Sequence, residues 1–176
     1  DLENSKQISF YNLEVKSVSK SFQLEIDYNY LNFLNLRVAY KNYDVKQDYI
    51  SGYLQKPLLA KNRFFINLSI DSKRTSTGKN WRWDLTYHYI GAQRLVETVR
   101  DQTNSYSPSY SLWNSQLTRI FSKKIEIYLG CENIVNFKHT NPIIGSENPF
   151  GLDFDASQIY GPVFGGVIYT GLRLKV

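Results

Sequence analysis

Apolar and polar residues alternate with a period of two along most of this chain, and that rhythm limits what it can fold into. In Phe22-Gln23-Leu24-Glu25-Ile26-Asp27-Tyr28-Asn29-Tyr30 every even position is apolar or aromatic, and every odd one is Gln, Glu, Asp or Asn. Successive side chains of a β-strand point to opposite faces, so this segment has one greasy face and one wet face. A slip of one residue would turn Glu25 and Asp27 toward the greasy side. If that side meets lipid, each misplaced charge costs up to a few kcal/mol near the midplane, so the register is strongly specified.

The pattern recurs. Leu36-Arg37-Val38-Ala39-Tyr40 predicts a strand running on to about Val45. Phe64, Ile66, Leu68 and Ile70 alternate with Phe65, Asn67, Ser69 and Asp71. Trp81, Trp83, Leu85, Tyr87 and Tyr89 alternate with Arg82, Asp84, Thr86 and His88. Trp113, Ser115, Leu117 and Phe121 share a face that Arg119 interrupts, which predicts a bulge or an Arg snorkelling at a membrane edge. Ile125, Ile127 and Leu129 follow, against Glu126, Tyr128 and Gly130. The chain closes on Ile168-Tyr169-Thr170-Gly171-Leu172-Arg173-Leu174-Lys175-Val176, with apolar residues at 168, 172, 174 and 176. Terminal residues usually fray, so a terminus patterned as a strand calls for a partner. With residues 1–20 read as a loop entering the first strand, the count is about seven strands, all-β and antiparallel.

The connections have a rhythm of their own. Leu31 to Leu34 is short, 46–61 is long, and the turn-like Lys73 to Asn80 is of medium length. Then 96–110 is long, Ser122-Lys123-Lys124 is tight, and 138–162 is long. A soluble meander has no reason to alternate in this way. A transmembrane β-barrel of the outer membrane does, having short periplasmic turns and long external loops. On that reading Val176 is periplasmic and the three long segments are external. Bacterial single-chain barrels have even strand counts, and lipid does not tolerate unpaired backbone. The expectation is therefore a portion of a larger barrel, or one more strand within residues 1–20.

Composition agrees with a membrane barrel. No run approaches about 18 apolar residues, which excludes a transmembrane helix. Mean hydropathy is negative, as it can be when only alternate residues meet lipid. Fourteen tyrosines suit strands and half-wet interfaces. The single cysteine, Cys131, permits no internal disulfide. The chain begins at Asp1 without a signal-like segment, so a mature product or excised piece is expected. A net charge of +5 would permit contact with nucleic acid or anionic lipid. The basic residues form no dense run, and no nucleic-acid partner is expected. Lys73, Arg74, Lys79, Lys123 and Lys124 gather at the predicted periplasmic links, where anionic headgroups would attract them.

Catalytic chemistry finds little support. His88 falls on the polar face of its strand and His139 in a loop, with no nucleophile motif beside either. No enzyme, cofactor or metal is expected. Glu147, Asp153 and Asp155 would suit a hard cation, but solvated loop carboxylates are the expectation. The glycines of Gly161-Pro162-Val163-Phe164-Gly165-Gly166 open a strand and not the helix that a phosphate cradle needs. Asn67-Leu68-Ser69 matches a glycosylation acceptor by chance, since Asn67 is mid-strand. Trp81, Trp83, Tyr87 and Tyr89 could stack bases, but as girdles at the two ends of a spanning strand they need no ligand.

Two stretches carry a resemblance. Tyr169, Gly171, Leu174 and Val176 fit the slots of the C-terminal assembly signal of outer-membrane β-barrels, except that the last residue is Val and not aromatic. The region from Tyr110 resembles the C-terminal end of TonB-dependent outer-membrane receptors. The matching residues are Leu112-Trp113-Asn114-Ser115-Gln116-Leu117 and Ile127 to Phe137, with its Glu132-Asn133-Ile134-Val135-Asn136-Phe137 ending. Asn141 to Gly145, Asn148 to Gly151 and Tyr160 to Gly166 follow. Gly165-Gly166 stands where that family commonly has Gly-Arg, which removes one basic group near the rim.

The resemblance implies that residues 1–176 are a C-terminal barrel segment without plug domain, roughly a third of a 22-stranded barrel. It implies uptake of a scarce ligand, an iron chelate, a cobalamin or a glycan, driven through TonB across a Gram-negative outer membrane. The implied partners are outer-membrane lipid, the plug and remaining strands of the receptor, TonB and the barrel-assembly machinery. Ligand contacts would fall in the long loops, chiefly 138–162. Two other readings stay open: a small self-contained eight-stranded porin or adhesin, and a soluble β-barrel or sandwich that binds a small apolar ligand.

Overall fold

Each alternating segment forms a strand, and the strands pair in chain order. The structure, a computed structural model, describes residues 12, 16–30, 33–49, 52–72, 79–95, 106–144, 146–151 and 154–175. Its strands are β1 (Val18–Tyr30), β2 (Leu34–Tyr49), β3 (Gly52–Gln55), β4 (Asn62–Asp71) and β5 (Asn80–Ile90). β6 (Tyr110–Ile120), β7 (Ile125–Glu132), β8 (Ile143–Ile144), β9 (Asp155–Ile159) and β10 (Val167–Leu174) complete the set.

The main sheet has eight strands, in the order β1-β2-β4-β5-β6-β7-β10, with β3 added on β2. Every pairing is antiparallel. The sheet does not close: β1 and β10 are its two edges and do not pair with each other. Lys175 extends the β7–β10 ladder by one step, donating its backbone N–H to the carbonyl of Lys124 at 2.9 Å.

Two details differ from the sequence expectation, and one of two alternatives left open there is removed. The stretch 46–61 is not simply a loop. β2 runs on to Tyr49, and β3 folds back on it, pairing Lys46 with Gln55 and Tyr49 with Gly52. The segment 138–162 contains a second, two-stranded sheet of β8 and β9. No bulge occurs at Arg119, which pairs in regular register with Trp81 on one side and Ile127 on the other. Its guanidinium sits 4.8 Å from the centre of the Trp81 ring and 5.7 Å from that of Phe121. The charge at the end of the apolar face thus rests on aromatic rings. Val176, Lys73, Arg74, residues 96–105 and all of residues 1–15 but Asn12 lie outside the described residues, so an extra strand before β1 does too.

The long connections all leave from one end of the sheet, where Asn42 pairs with Asn62, Ile90 with Tyr110, and Glu132 with Val167. The short ones, at Phe33, 72–79 and 121–124, leave from the other. Among the described residues few apolar side chains are buried: Ala60, Leu95 and Ile120, with Pro57 and Pro142. Ala60 and Leu95 belong to a cap of loops at the long-loop end. There Leu58 donates to the carbonyl of Arg94, and Ser107 to that of Gln93. Gln93 reaches the carbonyl of Tyr160 at 3.3 Å, which brings in the 138–162 segment.

Candidate functional site

The ladders carry the alternation from strand to strand, interrupted on the apolar face of β6 by Ser115 and Arg119, so the sheet has two chemically distinct faces. On one face Tyr28, Leu36, Leu68 and Leu85 lie in register, as do Leu24, Tyr40, Phe64 and Tyr89. Trp83, Leu117 and Leu129 continue the same face, and Ile127 meets Leu172 in the closing strand. Among the described residues no second layer covers it. Leu24 is 51% exposed, Ile26 56%, Leu129 57% and Leu172 58%. Aromatic rings cluster on this face as well: Tyr87 stands 4.5 Å from Trp113, and Phe64 lies edge-on to Tyr87.

The other face is polar. Gln23, Glu25, Asp27, Asn29, Asn67, Asp71, Arg82, Asp84 and His88 all fall on it by register. Its charges are organised in cross-strand pairs. Arg37 Nε bonds Asp27 at 2.6 Å and lies 3.3 Å from Glu25. Arg82 bonds Asp71 at 3.0 Å. Glu126 is bonded by Arg173 at 2.8 Å and by Lys175 at 2.7 Å. Asn67 donates to the Thr86 hydroxyl at 3.0 Å, which keeps its side chain within the sheet.

The closing pair of strands explains the terminal motif in part. Tyr169 is opposite Gly130, and Gly171 is opposite Tyr128, both pairs on the polar face. Each tyrosine ring occupies the space that a Cβ on its facing glycine would need. Ring-over-glycine contacts of this kind pin a register and cover bare backbone. The Tyr169 hydroxyl then reaches Gln116 on β6 at 3.1 Å, tying three strands together. Leu174 points to the apolar face opposite Ile125 and is well exposed. Of the four predicted signal residues, the structure places Tyr169 and Gly171 together on one face and Leu174 on the other. The glycine partner Gly130 and its reciprocal Tyr128 carry no signal in a one-dimensional reading; only the register brings them forward.

The Glu132 to Phe137 motif ends β7 by a specific device. Asn133 and Asn136 both adopt left-handed backbone, with φ of 48° and 53°, a conformation asparagine tolerates better than most residues. The backbone N–H of Asn133 donates to the Asn114 side chain at 2.8 Å. Its side chain both donates to the Phe137 carbonyl at 2.7 Å and accepts from the Phe137 N–H at 3.0 Å. The Asn136 side chain accepts from the N–H of Gly166, just before β10, at 2.9 Å. Two asparagines thus staple the ends of β6, β7 and β10.

In the 138–162 segment the His139 ring packs against Tyr110, Phe137 and Tyr160 at 5.2, 5.2 and 5.5 Å. Its Nε2 is buried without a hydrogen-bond partner. Desolvation lowers the His139 pKa from its ordinary value and raises that of Tyr160. Among the described residues no group of three His, Cys, Asp or Glu side chains is arranged to hold a metal ion. Glu147 is exposed, while Asp153 lies outside the described residues. Comparison with known protein families, curated proteins and solved structures returned no match.

Proposed function

We propose that this chain is a membrane-spanning wall: the C-terminal barrel segment of an outer-membrane transporter resembling the TonB-dependent receptors. One observation carries the membrane half of the reading. A single-layered antiparallel sheet exposes a predominantly apolar face on seven strands and keeps its ion pairs on the opposite face. Burying a large apolar side chain is worth roughly 1.5–3 kcal/mol, so an uncovered row this long needs a medium other than water. Strand lengths support the same medium. β4 has 10 residues, β5 and β6 have 11, and a tilted spanning strand needs about 9–11. The free edges of β1 and β10 call for the remaining strands of a barrel.

The transporter half rests on the resemblance of residues 110–176, and ligand, plug and TonB are carried by it alone. The barrel would admit a scarce ligand from outside, with the polar face lining the lumen and the loop cap at the outer mouth.

Fluorescence quenching tests the reading. Trp81, Trp83 and Trp113 stand on the apolar face. In the chain refolded into vesicles, brominated acyl chains should quench them strongly and aqueous iodide weakly. Tryptophans that ignore the brominated lipid, in a chain that stays monomeric without detergent, would replace the membrane by a soluble partner.

A further inference from the structure

The cations of the polar face are paired with carboxylates at the short-turn end and through the middle of the sheet. Toward the long-loop end this stops. Lys41 on β2 stands directly opposite Arg63 on β4. Neither forms an ion pair with a carboxylate among the described residues; Lys41 lies over the Tyr43 ring at 4.7 Å. Like charges placed directly opposite in an antiparallel pair are unfavourable, and a purely structural wall would gain from an acid at either position.

The two cations also line a cavity. It is a half-open groove of about 240 Å³ whose lining includes Gln23, Lys41, Arg63, Phe65, His88 and Ile90. Gln23 is the register partner of Lys41, and Ile90 that of Arg63. Phe65 and His88 pack ring against ring at 5.0 Å and form an aromatic wall. Guanidinium and ammonium groups together suit a multiply charged oxyanion: the planar fork bonds two oxygens, and the ammonium adds a point charge. Gln23 and His88 supply further hydrogen-bonding groups.

We propose that Lys41 and Arg63 form the binding site for a small polyanionic ligand, carrying phosphate or carboxylate groups, at the outer end of the polar face. The inference deepens the transporter reading by giving the charge of what that face receives. Its test does not depend on transport.

Calorimetry of the full chain in detergent micelles reads it, with inorganic pyrophosphate as the anionic probe and glucose as the neutral control. Pyrophosphate should bind and glucose should not. Lys41→Gln and Arg63→Gln should each weaken pyrophosphate binding about tenfold, as expected for one charge-assisted hydrogen bond. Lys123→Gln, at the opposite end of the sheet, should leave the affinity unchanged, and Lys41→Arg should retain most of it. Circular dichroism of each variant checks that the sheet is intact. A salt series on the unaltered chain reads the site independently of any variant, since affinity for a charge-selected probe falls as ionic strength rises. Wild-type protein that binds pyrophosphate no better than glucose, or with an affinity indifferent to salt, overturns the site. A chain that proves soluble removes the membrane reading and leaves this test standing, run in buffer alone.

Discussion

The Tyr169 ring of the closing strand fills the space above Gly130 of its neighbour, where a Cβ would collide with it. The reciprocal contact, Tyr128 over Gly171, lies two residues along the same ladder. Two ring-over-glycine contacts in one strand pair leave a single register in which both rings fit. Gly130→Ala should therefore cost about 1–3 kcal/mol, the range for overpacking a filled site. Tyr169→Phe should cost about 1 kcal/mol, because it removes only the hydroxyl bond to Gln116. Urea unfolding of the refolded chain measures both. Equal stability of Gly130→Ala and the parent would mean that Tyr169 is free to move aside.

A charge tells the two faces apart. Leu68 and Ser69 are neighbours on β4 that point to opposite sides. Leu68→Arg should destabilise the chain in vesicles by about 2–4 kcal/mol, the cost of a cation near the bilayer midplane. Ser69→Lys, beside Asp84 on the polar face, should stay within about 0.5 kcal/mol of the parent. Folding into dilauroyl vesicles against urea gives both numbers. The reverse order would put water on the side of Leu68.

The two-face pattern was legible from the letters because a period of two needs no tertiary information: Phe22 to Tyr30 and Trp81 to Tyr89 announce strand, face and register at once. The alternation of link lengths likewise placed 96–110 and 138–162 at one end. What escaped was everything decided by a ladder. The β3 hairpin within 46–61 lacks strong alternation and forms because β2 offers an edge beyond the end of β4. Arg119 could be a bulge or a regular cation until the register placed Trp81 and Phe121 beneath it. The Lys41–Arg63 pair joins residues 22 apart, and only the β2–β4 pairing makes them neighbours.

Asn133 has two duties, backbone and side chain, and substitutions can separate them. Asn133→Gly keeps the left-handed turn but loses the side-chain bonds to Phe137. Asn133→Ala loses those bonds and adds about 1–2 kcal/mol for a Cβ in that conformation. The alanine variant should be the less stable of the two. Limited proteolysis within 138–144 follows it, because release of the staple frees the segment that begins there. Identical cleavage in both variants would assign the whole effect to the side chain.

The docking of the 138–162 segment should depend on pH through His139. Desolvation holds its pKa in the folded chain below the ordinary 6.5. The unfolded or undocked segment therefore takes up a proton first as pH falls. Between 6.5 and the lower folded value the undocked form binds more protons, so stability of the docked form rises with pH in that window and falls with acid. The loss is complete once pH has passed below the folded value. Tyr110 and Tyr160, which face the ring, stay neutral throughout that window and do not counter the effect. Hydrogen exchange of the amides of 138–144, read at pH 7.5 and 5.5 after correction for intrinsic rates, should show protection dropping at the lower pH. His139→Phe keeps a ring among Tyr110, Phe137 and Tyr160 and removes the orphaned Nε2, so its protection should be flat across the same range. A drop of equal size in the phenylalanine variant would move the titration to another group.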